Sequence, residues 1–220
     1  MVKDNLLAVK QTLKENVKLV AVSKYQPIEL LEEAYEAGQR VFGESHALEV
    51  RDKAEAMPKD IEWHFIGHLQ TNKVRMIMPY VSLIHSVDSE RLLRLIDAEA
   101  KRINRTIDVL LQVHVAQEET KFGFTPDELV QFVKSGILDE LNNVRVVGVM
   151  GMATNTDDET RIKADFSAIN QTFQNTHMLL KENTAFNHIS MGMSDDYLIA
   201  IENGSTMVRI GSTIFGCRQY

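Results

Sequence analysis

Short apolar and β-branched runs alternate along this chain with segments whose apolar residues recur every three or four positions. The runs are 17–24 (VKLVAVSK), 40–45 (RVFGES), 62–67 (EWHFIG), 82–88 (SLIHSVD), 108–116 (DVLLQVHVA), 144–153 (VRVVGVMGMA), 187–193 (NHISMGM) and 206–212 (TMVRIGS). Helical patterns lie between them. One covers 27–38, with Pro27 at its start and Gly38 just past its end. Another covers 89–103, with Ser89 as its N-cap. Ahead of the first run, Leu6, Val9 and Leu13 fall at helical spacing and predict an additional amphipathic helix. Strand–helix alternation calls for parallel pairing through right-handed crossovers. Eight such units predict an α/β fold, a single (β/α)8 TIM barrel with an extra N-terminal helix. An open doubly wound sheet is the alternative. No linker-like stretch, composition break or repeat interrupts the pattern, so residues 1–220 are expected to form one domain.

In such barrels the chemistry sits at the C-terminal ends of the strands. Those ends supply Lys24, Glu44 with Ser45, Gly67 with His68, Ser86 with Asp88, His114, Gly151, Ser190 with Gly192, and Arg209 with Gly211. The bodies of the runs are mostly apolar, so polarity is concentrated at one rim. Residues two apart share a face of a strand. Lys24 therefore shares a face with Val20 and Val22, leaving Leu19 and Ala21 for the helix layer. By the same alternation Gln112 and His114 turn inward with Leu110, and Arg209 turns inward with Met207 and Gly211. An interior lysine and arginine are costly unless a ligand or anion partners them.

Composition narrows the setting. The formal charge is −7 with a pI near 5.5, which argues against a nucleic-acid partner, since phosphate backbones are bound by clustered cations. No apolar run approaches the ~20 residues needed to span a bilayer, so no membrane partner is expected. The charged N-terminus lacks the apolar core of a signal peptide. The single cysteine, Cys217, cannot pair within the chain, which fits a reducing, cytoplasmic setting.

Three groups at the rim carry chemical meaning. Lys24 follows an apolar stretch that would desolvate it, lowering its pKa so that the free amine can attack an aldehyde. A lysine that merely snorkels to solvent would occupy the same position. The loops SMGMSDD (190–196) and IGSTIFG (210–216) follow the seventh and eighth runs, where barrels often bind phosphate. Ser190 and Ser212 offer hydroxyls there, and Gly192 and Gly211 allow close backbone approach, although serine and glycine also simply make turns. Asp195 and Asp196 suit the first turn of the next helix. Arg209 stays protonated and can only donate; against a pyridine nitrogen it would hold that nitrogen unprotonated, whereas in a purely structural role it would pair with a carboxylate such as Glu44. The histidines are scattered over different units and His64 and His68 lie on a strand-like run, so no metal site is expected. Thiolate catalysis and a GxSxG serine nucleophile are likewise unsupported.

Together these segments resemble the pyridoxal 5′-phosphate (PLP) homeostasis protein family. The resemblance runs from AVSKYQP (21–27) through FGES (42–45), WHFIGHLQTNK (63–73), TKFG (120–123) and SMGMSDD (190–196) to GSTMVRIGSTIFG (204–216). It implies a barrel like the N-terminal domain of alanine racemase, with PLP as cofactor. It further implies a Schiff base on Lys24, Arg209 facing the pyridine nitrogen, and Ser190, Gly211 and Ser212 around the phosphate. Ser45 replaces an asparagine expected near the cofactor ring, His114 replaces another on the fifth strand, and Ser212 keeps the hydroxyl of the family's threonine. The expected function is intracellular PLP homeostasis without robust catalysis, possessed by a monomer whose partners are PLP and PLP-dependent apo-enzymes.

Two other functions share parts of this pattern. An amino-acid racemase needs an acid or base on each face of its substrate, and related racemases bring one from a C-terminal domain that is not expected after Tyr220; His114 would have to substitute. A Schiff-base aldolase acting on a phosphosugar would share the lysine and phosphate sites but hold no chromophore. Lys121 is a second, less favoured aldehyde-reactive lysine.

Overall fold

The computed structural model describes residues 1–116, 122–180 and 182–216. In chain order the elements are α1 (Val2–Thr12), β1 (Lys18–Val22), α2 (Ile28–Glu36), β2 (Val41–Glu44), α3 (Ala47–Ala56), β3 (Glu62–Phe65), α4 (Val74–Ile77), β4 (Val81–Val87), α5 (Glu90–Arg102), β5 (Ile107–Gln112), α6 (Pro126–Lys134), β6 (Val144–Met150), α7 (Glu159–Leu179), β7 (His188–Ser190), α8 (Tyr197–Glu202), β8 (Met207–Ile210) and α9 (Ser212–Phe215). The strands pair in parallel in sequence order and close on themselves, β8 lying beside β1 with Arg209 opposite Val20. The expected barrel is therefore the observed one, and the open sheet is not formed.

The alternation read from the sequence sorts the core into two layers. Val20, Leu83, Leu110, Val147, Met150 and Met207 fill the barrel interior as one buried cluster. Leu19, Ala21, Val208 and Ile210 face outward into the cluster shared with α1 and α2. On β5, Val109 and Leu111 join the other outer cluster. At ~1.5–3 kcal/mol for each fully buried large aliphatic side chain, this two-sided burial fixes which polar residues must point into the barrel. The extra helix α1 buries Val2, Leu6 and Val9 and is tied to α9 by the Asn5 side-chain amide, which donates to the Ile214 carbonyl at 3.1 Å.

Local sequence sets the helix ends. The Ser89 hydroxyl accepts the Leu92 amide at the start of α5, and Thr125 with Glu128 forms a reciprocal capping box ahead of Pro126. Gly38 takes the left-handed conformation (φ +86°) that stops α2. Asp195 and Asp196, expected in the first turn of the next helix, both precede α8, and the Asp196 carboxylate accepts the Met193 amide at 2.6 Å.

Several strands stop short of the apolar runs. β1 ends at Val22, β5 at Gln112 and β7 at Ser190, so the motif residues beyond them sit in turns above the barrel. At the end of β1, Tyr25 adopts φ +62°, which no strand can continue. Among the described residues, no helix is long and apolar enough to cross a membrane.

Candidate active site at the C-terminal mouth of the barrel

Lys24 lies in the turn two residues beyond β1 and is partly buried. Its neighbours are tied down. The Ser23 hydroxyl donates to Glu44 Oε1 at 2.6 Å, and the Tyr25 amide donates to Glu49 Oε2 at 2.8 Å. The Lys53 ammonium, reaching in from α3, donates to the Ser23 carbonyl (2.7 Å), Glu44 Oε1 (2.8 Å) and Glu49 Oε2 (2.7 Å). Burial pushes the Glu44 carboxyl up to about 7 in spite of Lys53. Glu44 thus pairs with Lys53 and not with Arg209, so the ion pair considered for the arginine is not formed with Glu44.

Arg209 points into the barrel, as the alternation requires, and is 5% exposed. Its Nη1 donates to the Ser190 carbonyl (2.9 Å) and hydroxyl (2.7 Å), and its Nη2 donates to the Gly151 carbonyl (3.1 Å). Part of the guanidinium fork is left for a ligand. Burial lowers its pKa to about 10, partly offset by Asp196, so it remains a cation at neutral pH.

The Ser190 hydroxyl is fully buried and continues a polar chain across the barrel floor. It lies 2.9 Å from His85 Nδ1, and His85 Nε2 lies 3.0 Å from His64 Nδ1. Protons along such a chain must all run in one sense. Either His64 donates to His85 and His85 to Ser190, or the reverse. Burial brings His64 down to about 3 and holds His85 well below its ordinary value, so both rings are neutral. Sequence reasoning placed these histidines on separate units; the barrel register brings them together, and among the described residues no cluster fit for a metal arises.

The loops after β7 and β8, where phosphate binding is expected, form a shared cradle. The Gly211 amide donates to Ser194 Oγ at 3.2 Å, and Ser212 opens α9 beside it. Gly192, at φ +96°, packs so closely on α8 that an added Cβ would stand 2.6 Å from Ala200 Cβ. Ser190 is not in this cradle, because its hydroxyl faces the barrel interior. Ser194, which the sequence reading did not single out, supplies the hydroxyl that meets Gly211. The signal was the second serine of SMGMS, a position beyond the strand where the loop has turned back over the mouth.

Ser45 follows β2, 3.3 Å from His46 Nδ1, and a Cβ on Gly67 would stand 2.6 Å from Ser45 Cβ. Beside it opens a cavity of about 490 Å³ lined by Tyr25, Ser45, His46, His68, Gln70 and Lys73, among others. Across the mouth, Gln112 is buried and donates to the Phe122 carbonyl at 2.7 Å. The His114 Nδ1 is buried without a hydrogen-bond partner among the described residues. Lys121 and Cys217 lie outside the described residues.

Residues 1–219 match the alanine racemase N-terminal domain family. Curated relatives that match almost end to end are pyridoxal phosphate homeostasis proteins. That of Aquifex aeolicus (strain VF5) is 40% identical over 204 residues, 92% of this chain and 88% of its own. That of Schizosaccharomyces pombe (strain 972) is 38% identical over 206 residues, 92% of this chain and 85% of its own. The chain belongs to the pyridoxal phosphate homeostasis protein family.

Solved structures from the family share the barrel. PipY of Synechococcus elongatus PCC7942, solved with PLP bound, superposes with a TM-score of 0.89 at 30% identity, covering 98% of this chain and all of PipY. Its PLP-free form gives a TM-score of 0.92 at 31% identity. Alanine racemase from E. faecalis gives 0.74 at 18% identity over 57% of that enzyme, a likeness of fold alone. Family membership thus agrees with the motifs quoted above.

Proposed function

We propose that this chain binds PLP at the C-terminal mouth of its barrel, with the Lys24 amine joined to the cofactor aldehyde as a Schiff base, and that it serves PLP homeostasis. The observation that carries this reading is that the buried cation on β8 (Arg209), the Gly211 end of β8 joined to Ser194 of the β7 loop, and the Lys24 turn after the neighbouring strand β1 share one end of the barrel. The PLP-bound structure of PipY supports it.

These residues suit the cofactor. PLP supplies an aldehyde that condenses with an amine and a ring that withdraws electrons from the adduct. Gly211, Ser194 and Ser212 hold the phosphate from the β7 and β8 side. Arg209 donates to the ring nitrogen and cannot be displaced as the proton holder, since its pKa stays near 10. A ring kept unprotonated is a weak electron sink, and that favours holding the cofactor over carbanion chemistry. Ser45 and His114 flank the ring from β2 and β5, with the His114 Nδ1, which has no hydrogen-bond partner among the described residues, facing a ring substituent.

As part of the same reading, the protein acts as a cytoplasmic monomer that keeps free PLP low and hands it to PLP-dependent apo-enzymes. Sedimentation with and without PLP tests the oligomeric state, and reactivation of an apo-transaminase by the loaded protein tests hand-over. The binding claim itself is tested by titrating PLP into the purified protein and into Lys24→Ala. The parent develops a visible absorption band; the variant keeps its thermal unfolding profile but shows no such band. A Lys24→Ala protein with the full band overturns the assignment.

A further inference from the structure

We infer that Lys53, which stands outside the barrel on α3, is the positioning residue for the Lys24 amine. This inference rests on the reading that Lys24 carries PLP.

The side chain of Lys53 is 7% exposed and its ammonium makes three hydrogen bonds, all to acceptors within 2.7–2.8 Å. An ammonium has no further hydrogen to give. Each acceptor is tied to the turn that carries Lys24. The first is the carbonyl of Ser23, the residue before it. The second, Glu44 Oε1, also accepts the Ser23 hydroxyl at 2.6 Å. The third, Glu49 Oε2, also accepts the amide of Tyr25, the residue after it, at 2.8 Å. One buried cation thus fixes the backbone on both sides of Lys24. That backbone is not relaxed: Tyr25 is held at φ +62°, a conformation a tyrosine keeps only where surrounding contacts over-determine it.

A need for stability does not account for the cluster. Buried ion pairs are often no better than apolar packing of the same volume. This one leaves Glu44 Oε2 buried and without a hydrogen-bond partner among the described residues, a cost that a merely structural core would shed. The cluster also lies directly beneath the one turn whose geometry controls an amine. Lys53 itself is no alternative carrier, because its nitrogen is fully engaged by three acceptors.

The function of the clamp is preorganisation. When the Lys24 nitrogen forms the C=N bond, the aldehyde oxygen departs as water. That equilibrium is favoured if the amine is already held over the carbonyl carbon. Loosening the turn therefore weakens the covalent step and leaves the phosphate and ring contacts on β7 and β8 intact.

The test compares two ligands on the full-length protein and on Lys53→Met. PLP can form the imine; pyridoxine 5′-phosphate carries an alcohol in place of the aldehyde and cannot. Lys53→Met is expected to weaken PLP about ten-fold or more, by loss of preorganisation, while pyridoxine 5′-phosphate affinity stays within about two-fold. Lys53→Arg is expected to recover only part of the loss, because a planar fork cannot reproduce the tripod. Equal losses for both ligands, or no loss for PLP, overturn the inference. Should Lys53→Met fail to fold, Glu49→Ala releases the Tyr25 amide and one of the three Lys53 bonds but leaves those to Ser23 and Glu44, and is expected to show the same split at about three-fold. Peptide mapping of the borohydride-reduced parent separates the two levels. A label away from Lys24 overturns the reading beneath; a label on Lys24 with coincident losses overturns the clamp alone.

Discussion

Replacing Arg209 by Met asks the structure for a number. The substitution removes three hydrogen bonds, to the Ser190 carbonyl, the Ser190 hydroxyl and the Gly151 carbonyl. Bonds from a charged donor contribute about 1.5–3 kcal/mol each, so about 4.5–9 kcal/mol is lost. Against this, the burial that lowers the arginine to about 10 is relieved, which returns about 3.4 kcal/mol. Taking the middle of the first range, the ligand-free protein should be destabilised by about 3 kcal/mol, or about 6–12 °C in Tm for a chain of this size. Urea unfolding of the ligand-free variant and parent measures it. Arg209→Lys keeps the charge but cannot fork between Ser190 and Gly151, and should lose less. A Met variant within about 1 kcal/mol of the parent, or more stable than it, would show that the guanidinium does not hold the barrel floor together and refute the reasoning.

The remaining predictions are brief. Ser194→Ala should weaken PLP about ten-fold, near 1.4 kcal/mol, with little change in ligand-free stability, whereas Ser190→Ala should chiefly cost stability because its hydroxyl serves Arg209 and His85; paired isotherms and unfolding curves distinguish the two. His64, neutral in the fold down to about 3, takes a proton in the unfolded chain below its ordinary value, so its contribution to stability is present above about 6.5 and is lost as pH falls towards 3 at ~1.4 kcal/mol per pH unit. His64→Asn should flatten that decline between pH 6.5 and 4.5, and the variant-minus-parent difference cancels the opposite trend of Glu44, whose raised carboxyl gives stability that is lost as pH rises through about 7. Parallel slopes for variant and parent would contradict the buried neutral imidazole.

Much of this architecture was legible in the order of residues. The strand–helix alternation predicted the barrel over an open sheet, and the period-two faces of β5 and β8 turned Gln112 and Arg209 inward. What escaped depends on neighbours far apart in sequence. His64 and His85 meet only because β3 and β4 pair with Phe65 opposite Ile84, a register no local pattern encodes. Lys53 reads as one more charge on an amphipathic helix, since nothing local reveals that Glu44 and Ser23 lie within its reach. Ser190 was read as part of the loop after the seventh run, whereas it is the last paired residue of β7; the alternation within the ladder turns its hydroxyl inward, onto Arg209 and His85. Strand ends are the weakest point of a periodicity argument, and in a barrel they are also where the chemistry sits.

The central claim is that Lys24 holds PLP covalently. Its most direct test is borohydride reduction of the PLP-loaded protein followed by peptide mapping. The account predicts a visible band that collapses on reduction and a pyridoxyl group on the peptide containing Lys24. A protein that takes up no label, or carries it on another lysine, contradicts it.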